Sequence, residues 1–252
     1  MLTQQRKQLI LDTLRRDGRI VAADLSASLG LSEDTIRRDL RALAAQGLLQ
    51  RVHGGALPAS PAVGNIAARS QLQMPGKQAI ATAAAAMVQP GQVVFIDGGT
   101  TCQQLAQRLP PTLRATVVTH SPTIALALVE HPLVEVQLIG GHLFKHSVVA
   151  VGAAAIEAIR QVRADLYFMG VTGISATAGL STGDMEEAHV KRALMAQAGE
   201  TWVLASAEKL HAASPYVIAA CNEATGLVVE PQTSDQQVAA LTSLGLALVR
   251  GR

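Results

Sequence analysis

Apolar residues in the first 60 positions recur at spacings of three and four, the period of helices that bury one face. The pattern predicts three short helices, with turns at Gly18 and Gly30 and a last helix that ends at Gly47, where glycine is favoured. The alternating segment LLQRVHGGAL that follows predicts a β-hairpin. Three helices and a hairpin indicate a winged helix-turn-helix domain over residues 1–57, called the head below.

The pattern changes after the head. Residues 58–75 are rich in small and turn-forming side chains without a sustained period, which predicts a linker. In residues 76–252, the body, strand-like apolar runs alternate with Ala/Leu-rich helical runs. We expect strands at 93–97, 115–119, 134–139, 166–170, 201–205, 226–229 and 246–249. We expect helices at 77–88, 101–109, 122–130, 153–160, 185–198 and 234–243. This alternation indicates an α/β body with βαβ units around a mainly parallel sheet.

Composition narrows the class of protein. The chain has 252 residues, of which 49% are apolar and 16% charged, so one or two globular domains are expected. Aromatic residues make up only 2%, which excludes a surface on which successive bases stack on rings. The uncharged run at 78–96 is interrupted by Pro90-Gly91, so it predicts a helix, a turn and a strand rather than a membrane span. Two cysteines without metal-ligand spacing and an N-terminus without a secretory pattern favour the cytoplasm.

Charge is distributed unevenly. Residues 1–55 carry nine Lys/Arg and six Asp/Glu, a net charge of +3, whereas the rest of the chain has a net charge of −1. A basic head on a nearly neutral body suggests an anionic partner for the head, although a solvated face would show the same balance.

The predicted third helix carries the strongest candidate chemistry. In SEDTIRRDLRAL, residues 32–43, the apolar positions share one face and the arginines lie on or beside the opposite face, where they can reach phosphates or guanine edges. A solvated surface helix is the alternative. The capping Ser32, the preceding turn and the hairpin favour DNA binding, with hairpin side chains along the backbone or minor groove. The candidate DNA-binding residues are Ser32, Thr35, Arg37, Arg38, Arg41, Arg51 and His53.

A second motif, Asp97-Gly98-Gly99-Thr100-Thr101, lies between a predicted strand and a predicted helix. Glycines let backbone N–H groups face an anion, and the threonines add hydroxyl donors. The motif therefore favours a phosphate site, although a Gly-Gly turn after a strand is also a common tight connection.

The motifs TIRRDL, GLLQRVHGGA, DGGTT, GGH, VKRAL and the EK of SAEKL resemble the DeoR-type family of bacterial sugar-metabolism regulators, from about residue 3 to 250. The resemblance implies a head that binds double-stranded operator DNA and a sensor body with a fold similar to ribose-5-phosphate isomerase. It further implies that the sensor binds a phosphorylated sugar or related effector and forms a homo-oligomer, a dimer or tetramer. Most such proteins are repressors, so we expect a repressor of a sugar or polyol catabolic operon.

Loops at the carboxyl ends of the predicted strands supply further ligand candidates. Lys209 is the best-placed cation and Lys145 the next, although either fits a solvated surface lysine. The stretch GLSTGDMEE resembles a family loop over the pocket, which implies that Asp184 and Glu186 bond sugar hydroxyls. They also fit the cap and first turn of the following helix. The candidate ligand-binding residues are Asp97, Gly98, Gly99, Thr100, Thr101, His120, Gly141, Lys145, Gly170, Asp184, Glu186 and Lys209.

Two alternatives remain open. One is a sugar-phosphate isomerase, but the candidate bases Asp97, Asp184 and Glu186 form no recognisable acid/base pair and the head would have no role. The other keeps the head and makes the body an oligomerisation module without a ligand. No catalytic residue, cofactor or metal is expected, since His142 and His146 have no helical pattern to bring them together.

The chain departs from the family pattern at two places. Many relatives have Asn at the position of His120 and Asp-Ser at the positions of Ser206-Ala207. We expect both positions to face the pocket, so the effector would differ in charge or size from those of the best-known members.

Overall fold

The computed structural model describes residues 2–63, 66–70 and 73–251. The α-helices are α1 Thr3–Asp17, α2 Ala22–Leu29, α3 Glu33–Ala45, α4 Ile66–Ser70, α5 Met74–Ala85, α6 Thr100–Ala106, α7 Pro122–Leu128, α8 Ala153–Arg160, α9 Met185–Gln197 and α10 Asp235–Thr242. The strands are β1 Ile20–Val21, β2 Gln50–Val52, β3 Gly55–Leu57, β4 Val93–Ile96, β5 Ala115–Thr119, β6 Val134–Leu138, β7 His142–Phe144, β8 Val149–Val151, β9 Ala164–Gly170, β10 Gly173–Ser175, β11 Gly179–Thr182, β12 Ala198–Ala205, β13 Tyr216–Ala219, β14 Gly226–Val229 and β15 Ala247–Arg250.

The head contains the predicted three helices and hairpin. Strand β3 lies between β2 and the short β1, both antiparallel to it. Gly47 directly follows the C-terminal cap residue of α3 and has φ +70°. The N–H of the next residue, Leu48, donates a hydrogen bond to the carbonyl of Leu43 at 3.1 Å. A side chain at Gly47 would strain this left-handed turn, which is why glycine ends the helix there.

One buried ion pair fixes α3 within the head. Arg6 on α1 donates from Nε to Asp39 on α3, and both side chains are largely buried. The remaining contacts between the helices are apolar, with Ile36 and Leu40 on the buried face of α3. The apolar face determines which side of α3 points to solvent, and the ion pair adds a fixed contact between α3 and α1.

The body is built on a seven-stranded parallel sheet with the order β15-β14-β12-β9-β4-β5-β6. This confirms the predicted α/β class. Alternate residues of the central strands face opposite sides, so Val94 and Phe168 pack with α5, α6 and α7. Phe95 and Tyr167 pack with α8, α9 and α10 on the other side. Both faces of the central strands are buried, so these strands are almost continuously apolar.

The small antiparallel elements of the body were not predicted. A hairpin of β7 and β8 follows the main sheet's edge strand, and β10, β11 and β13 form a second sheet. Each strand has only three or four residues, which is too short for a clear alternation. At Gly179 the neighbouring backbone leaves no room for a side chain, because a Cβ there would lie 2.4 Å from the carbonyl oxygen of Ala219.

The connecting segment, residues 58–75, contains a 3₁₀ turn at Pro61–Val63, helix α4 and the first residues of α5. It contacts the body at several points. Ser60 Oγ donates to the carbonyl of Thr172, and Ile66 N donates to the carbonyl of His146 at 3.1 Å. The described part of this segment is therefore folded against the body, rather than irregular as its composition suggests.

The uncharged run at 78–96 divides as predicted into most of α5, a turn at Pro90-Gly91 and strand β4. Across the described ranges, no helix combines the length and apolar character needed to cross a membrane.

Candidate functional site

The exposed face of α3 presents three arginines. Arg37, Arg38 and Arg41 are exposed, opposite the buried face of the helix. Arg37 pairs with Glu33 one turn earlier at 2.5 Å, whereas Arg38 and Arg41 make no ion pair among the residues the structure describes. These two guanidinium groups are therefore available to phosphates or base edges.

Two other candidates in α3 have a structural role. Ser32 Oγ accepts a hydrogen bond from Thr35 N at 3.3 Å and lies 3.0 Å from Thr35 Oγ1. The two side chains cap the helix, which orients its first turn. On the hairpin, Arg51 and His53 are exposed.

A cleft lies at the carboxyl ends of β4, β9 and β12, the central strands of the main sheet. It encloses about 510 Å³ of empty space, with the open solvent at its mouth included. Its walls come from the loops after these strands, from α9 and from the connecting segment. The lining residues are Ala62, Arg69, Lys77, Gly98, Gly99, Thr100, Thr101, Cys102, Ser147, Gly170, Val171, Thr172, Thr182, Glu187, Lys191, Glu208 and Lys209.

The glycine–threonine loop, residues 98–101, forms one wall of the cleft. A Cβ on Gly98 would lie 2.2 Å from Val149 Cγ1, and Gly99 has φ +113°, so neither position accepts a side chain without strain. Thr101 Oγ1 is buried and has no hydrogen-bond partner in the described structure. A buried hydroxyl without a partner costs free energy, which a ligand oxygen would recover.

Four cationic side chains line the cleft, Arg69, Lys77, Lys191 and Lys209, against two carboxylates, Glu187 and Glu208. Lys77, Lys191 and Lys209 are each at most 6% exposed. Burying cations is unfavourable unless they are paired, so this excess of positive charge favours an anionic ligand.

Asp97 lies directly beneath the loop and accepts four hydrogen bonds. Its Oδ1 receives His120 Nε2 at 2.8 Å and the N–H of Gly98 at 2.8 Å. Its Oδ2 receives Lys191 Nζ at 2.5 Å and the N–H of Gly170 at 2.9 Å. Burial alone would raise the pKa of Asp97, but the charge of Lys191 and the hydrogen bond from His120 hold it well below its usual range.

The ammonium group of Lys209 is the titratable cation of the cleft. Burial lowers the pKa of Lys209 to about 8, and the nearby carboxylate of Glu208 offsets this only in part. Burial likewise lowers the pKa of Lys77. Both lysines gain from an anion placed beside them.

The two cysteines are chemically inert. Burial raises the pKa of the Cys102 thiol to about 12 and that of Cys221 to about 11, so both stay protonated near neutral pH. In the described residues, no three His, Cys, Asp or Glu side chains group closely enough to hold a metal ion.

Comparison with known families places both parts of the chain. Residues 6–61 match the DeoR-like helix-turn-helix domain, and residues 72–231 match the DeoR C terminal sensor domain. The chain belongs to the DeoR family.

Curated relatives of this DeoR-family protein match it over nearly its whole length. The HTH-type transcriptional regulator GlpR of Haloferax volcanii is 34% identical over 255 residues, which cover 100% of this chain and 99% of that protein. The putative aga operon transcriptional repressor of Escherichia coli O157:H7 is 30% identical over 251 residues, covering 98% and 93%. Both are regulators of transcription by name.

Among solved structures, ribose 5-phosphate isomerase A of Methanocaldococcus jannaschii is 16% identical and covers 53% of this chain and 52% of its own, with a TM-score of 0.39. An overlap this partial supports no activity for the DeoR-family protein.

The structure brings half of the predicted ligand residues of this DeoR-family protein together in the cleft. These are Gly98, Gly99, Thr100, Thr101, Gly170 and Lys209. Asp97 and His120 lie beneath the cleft floor, at most 1% exposed and bonded to each other. His120 therefore does not face the cleft as expected, and neither does Ser206, which is fully buried and donates to Glu208 Oε1 at 2.7 Å.

Three predicted ligand residues lie outside the cleft lining. Gly141 belongs to the hairpin, where a Cβ would lie 2.8 Å from the carbonyl oxygen of Val151. Lys145 is exposed at the hairpin turn. Glu186 points away because each residue turns a helix by about 100°, so the next residue, Glu187, lines the cleft instead.

Asp184 has the capping role considered for it. Its Oδ1 accepts the N–H of Glu187 at 3.0 Å and caps α9. It also lines a second cavity of about 460 Å³ that shares Arg69 with the cleft and is bounded by Phe144 and His146.

Sequence reasoning missed Arg69, Lys77, Glu187 and Lys191. Lys191 lies in the VKRAL motif, which did point to the family, but nothing local to that motif shows that its lysine reaches a carboxylate 94 positions away. Arg69 lies in a segment interpreted as a linker.

Lys209 predicts a pH dependence of anion binding. Sulfate keeps its charge across this range, whereas Lys209 loses its proton as the pH rises through about 8. We expect sulfate affinity to fall about tenfold between pH 7 and 9.5, measured by the sulfate-dependent shift in melting temperature. Without sulfate, the free energy of unfolding should rise from pH 8 upward, since the unfolded chain then binds more protons than the native state.

The control is Lys209→Arg, whose guanidinium stays charged throughout. Its sulfate affinity should show no such decline. An equal decline in this variant would mean that another group titrates.

Proposed function

We propose that this DeoR-family protein represses a sugar or polyol catabolic operon in the cytoplasm and is released from its operator by a phosphorylated sugar intermediate. The carrying observation is the cationic cleft, in which the glycine–threonine loop meets four Lys and Arg side chains. The exposed arginines of α3 and the relatives named as regulators support the DNA-binding part.

For the DNA contact, α3 is proposed to enter the major groove. Arg38 and Arg41, which make no ion pair in the described structure, are the residues best placed to reach bases or phosphates. Arg37 would exchange its bond to Glu33 for a phosphate. Arg51 and His53 on the hairpin would follow the backbone or minor groove.

For the effector, the phosphate is proposed to bind at residues 98–101, with Lys77 and Lys209 as counter-charges. The second cavity would take the hydroxylated end of the molecule, because Asp184 and Glu187 there are acceptors for sugar hydroxyls. This arrangement would place the phosphate beside the lysines of the cleft and the sugar hydroxyls beside the carboxylates of the second cavity.

Enzyme activity receives no support from the geometry. Isomerisation requires a carboxylate free to remove a proton beside the sugar. Asp97, the carboxylate beneath the loop, is fully buried and held by four donors, so it serves as a structural anchor. The cleft also argues against a body that only oligomerises.

A ligand changes operator affinity only by its different affinity for two arrangements of the heads. We expect effector binding to weaken operator binding by a coupling free energy of about 1–3 kcal/mol, and operator to weaken effector binding by the same factor.

The first prediction here concerns α3. Replacing Arg38 with Ala should weaken binding to a duplex selected by the protein from a random library by about 1–3 kcal/mol if Arg38 reads a base. If it contacts phosphate, the loss should be uniform across sequences and the salt slope should decrease by about one. Fluorescence anisotropy at several salt concentrations separates the two. Exposed Arg160 on α8 provides the matched control, and unchanged binding for both Arg38→Ala and Arg41→Ala would remove α3 from the interface.

The second prediction concerns the glycine–threonine loop. Thr101→Val removes the buried hydroxyl that lacks a partner, so it should leave folding and DNA binding intact and weaken effector binding about tenfold. Replacing Thr100 and Thr101 together with Glu adds charge where the phosphate binds and should abolish release. The assay adds a panel of phosphorylated sugars and polyols to the protein–duplex complex. Release of the double variant by the same compound that releases the wild type would refute the phosphate assignment.

The third prediction is a homo-oligomer, a dimer or tetramer, with paired heads. Leu126, Val129 and Leu138 are 53–72% exposed on neighbouring α7 and edge strand β6, which leaves an apolar patch beside unpaired backbone groups. Light scattering should give at least twice the chain mass of 26.3 kDa. Leu126→Lys with Leu138→Lys should reduce it, and a wild type that is monomeric with and without DNA would contradict the proposal.

A further inference from the structure

Arg69 is the one cleft cation that lies between the head and the body along the chain. It is on α4, twelve positions after Leu57, the last residue of the head, and its guanidinium lines the cleft. The other cations, Lys77, Lys191 and Lys209, belong to α5, α9 and the loop after β12. Any ligand that contacts Arg69 therefore contacts the connecting segment directly.

The hydrogen-bonding capacity of this guanidinium is largely unused. Its Nη2 donates to Ser147 Oγ at 3.2 Å, while Nε is buried without an acceptor. Within the described ranges, no carboxylate forms an ion pair with it. Arginine carries five N–H donors in a planar fork that matches the oxygens of a phosphate.

The guanidinium also lies beside the glycine–threonine loop. Its Nη1 would be 4.0 Å from a Cβ placed on Gly99, and the unpartnered hydroxyl of Thr101 is in the same wall. A phosphate between these groups would bind the body on one side and α4 on the other.

The described residues before Arg69 form hydrogen bonds to the body at three points. Ser60 Oγ donates to Thr172 O, Ala213 N donates to Pro58 O at 3.3 Å and Ile66 N to His146 O at 3.1 Å. Lys77 Nζ donates to the carbonyl of Arg69 itself at 2.6 Å, which ties the end of α4 to α5. Arg69 is thus joined to β3 of the head by a short segment, and it lies on the same short helix that Lys77 ties to α5.

We propose that Arg69 is the residue through which an anionic effector acts on the head: its guanidinium closes on the phosphate bound at residues 98–101, and this contact fixes the connecting segment on the body. The inference rests on the proposed function. It adds that α4, through Arg69, responds when an anion binds at residues 98–101. Residues 98–101 bind the anion, and Arg69 converts binding into a change in the connection to the DNA-binding domain.

The test is hydrogen exchange by mass spectrometry on the full chain, with inorganic phosphate as the probe. In the wild type, phosphate should slow exchange in peptides covering the loop and in peptides covering α4. In Arg69→Gln, the loop should still be protected at saturating phosphate, the dissociation constant should rise about tenfold or more, and protection of α4 should be lost. Arg69→Lys, which keeps the charge but not the fork, should give partial protection.

Arg160→Gln is the matched control for loss of an arginine outside the cleft, and melting curves report whether each variant is folded. Equal protection of α4 in wild type and Arg69→Gln would overturn the proposal. So would protection of the loop alone in the wild type, a result that leaves the phosphate site standing. Protection of neither region would reject the inference together with the phosphate site of the proposed function.

Discussion

Four donors converge on the carboxylate of Asp97, and the architecture of the sensor depends on that convergence. His120 follows β5, Gly170 ends β9 and Lys191 comes from α9, so a single buried anion joins three parts of the body beneath the cleft. The ring nitrogens of His120 lie 2.8 Å from Asp97 Oδ1 and 2.8 Å from the carbonyl oxygen of Ala150, so the ring links β4, β5 and β8. Removal of the anion would leave the ammonium group of Lys191 buried and unpaired, which is far more costly than never having buried it.

Asp97 pairs with Lys191 and, in the described part of the chain, with none of the other Lys and Arg side chains of the cleft. Arg69 and Lys209 are bonded chiefly to neutral oxygens, Ser147 Oγ and the carbonyl of Leu204 at 3.2 Å. Neutral partners compensate a buried charge poorly, and burial accordingly lowers the pKa of both groups. The protein thus keeps an electrostatically unfavourable site in the ligand-free state, and an anion relieves it. The adjoining second cavity, lined by Asp184 and Glu187, adds carboxylate acceptors beside this site.

Local pattern was sufficient for most of the fold. The seven strands of the main sheet were predicted because each is an apolar run, and the helices between them because their apolar residues recur with a helical period; errors at their ends were a few residues. The residues of the cleft were predictable only in part. A glycine–threonine loop after a strand is recognisable from a few consecutive residues, so Gly98 and Thr101 were among the predicted candidates. Arg69 and Lys191 reach the cleft from elements distant in sequence, and only the folded sheet brings them there. Glu186 and Glu187 show the same limit, since a rotation of about 100° between neighbouring helix residues decides which of the two acids faces the cleft.

The packing of the connecting segment affects where the head of one regulator can be joined to the body of another. Ser60, Ile66 and Arg69 all contact the body, and the last residue of the head's own sheet is Leu57. The head's own sheet therefore ends at Leu57, well before α5 begins at Met74. A hybrid regulator that combines this sensor with another reading head should be joined there, because a junction placed closer to Met74 would exchange one wall of the effector site along with the DNA specificity.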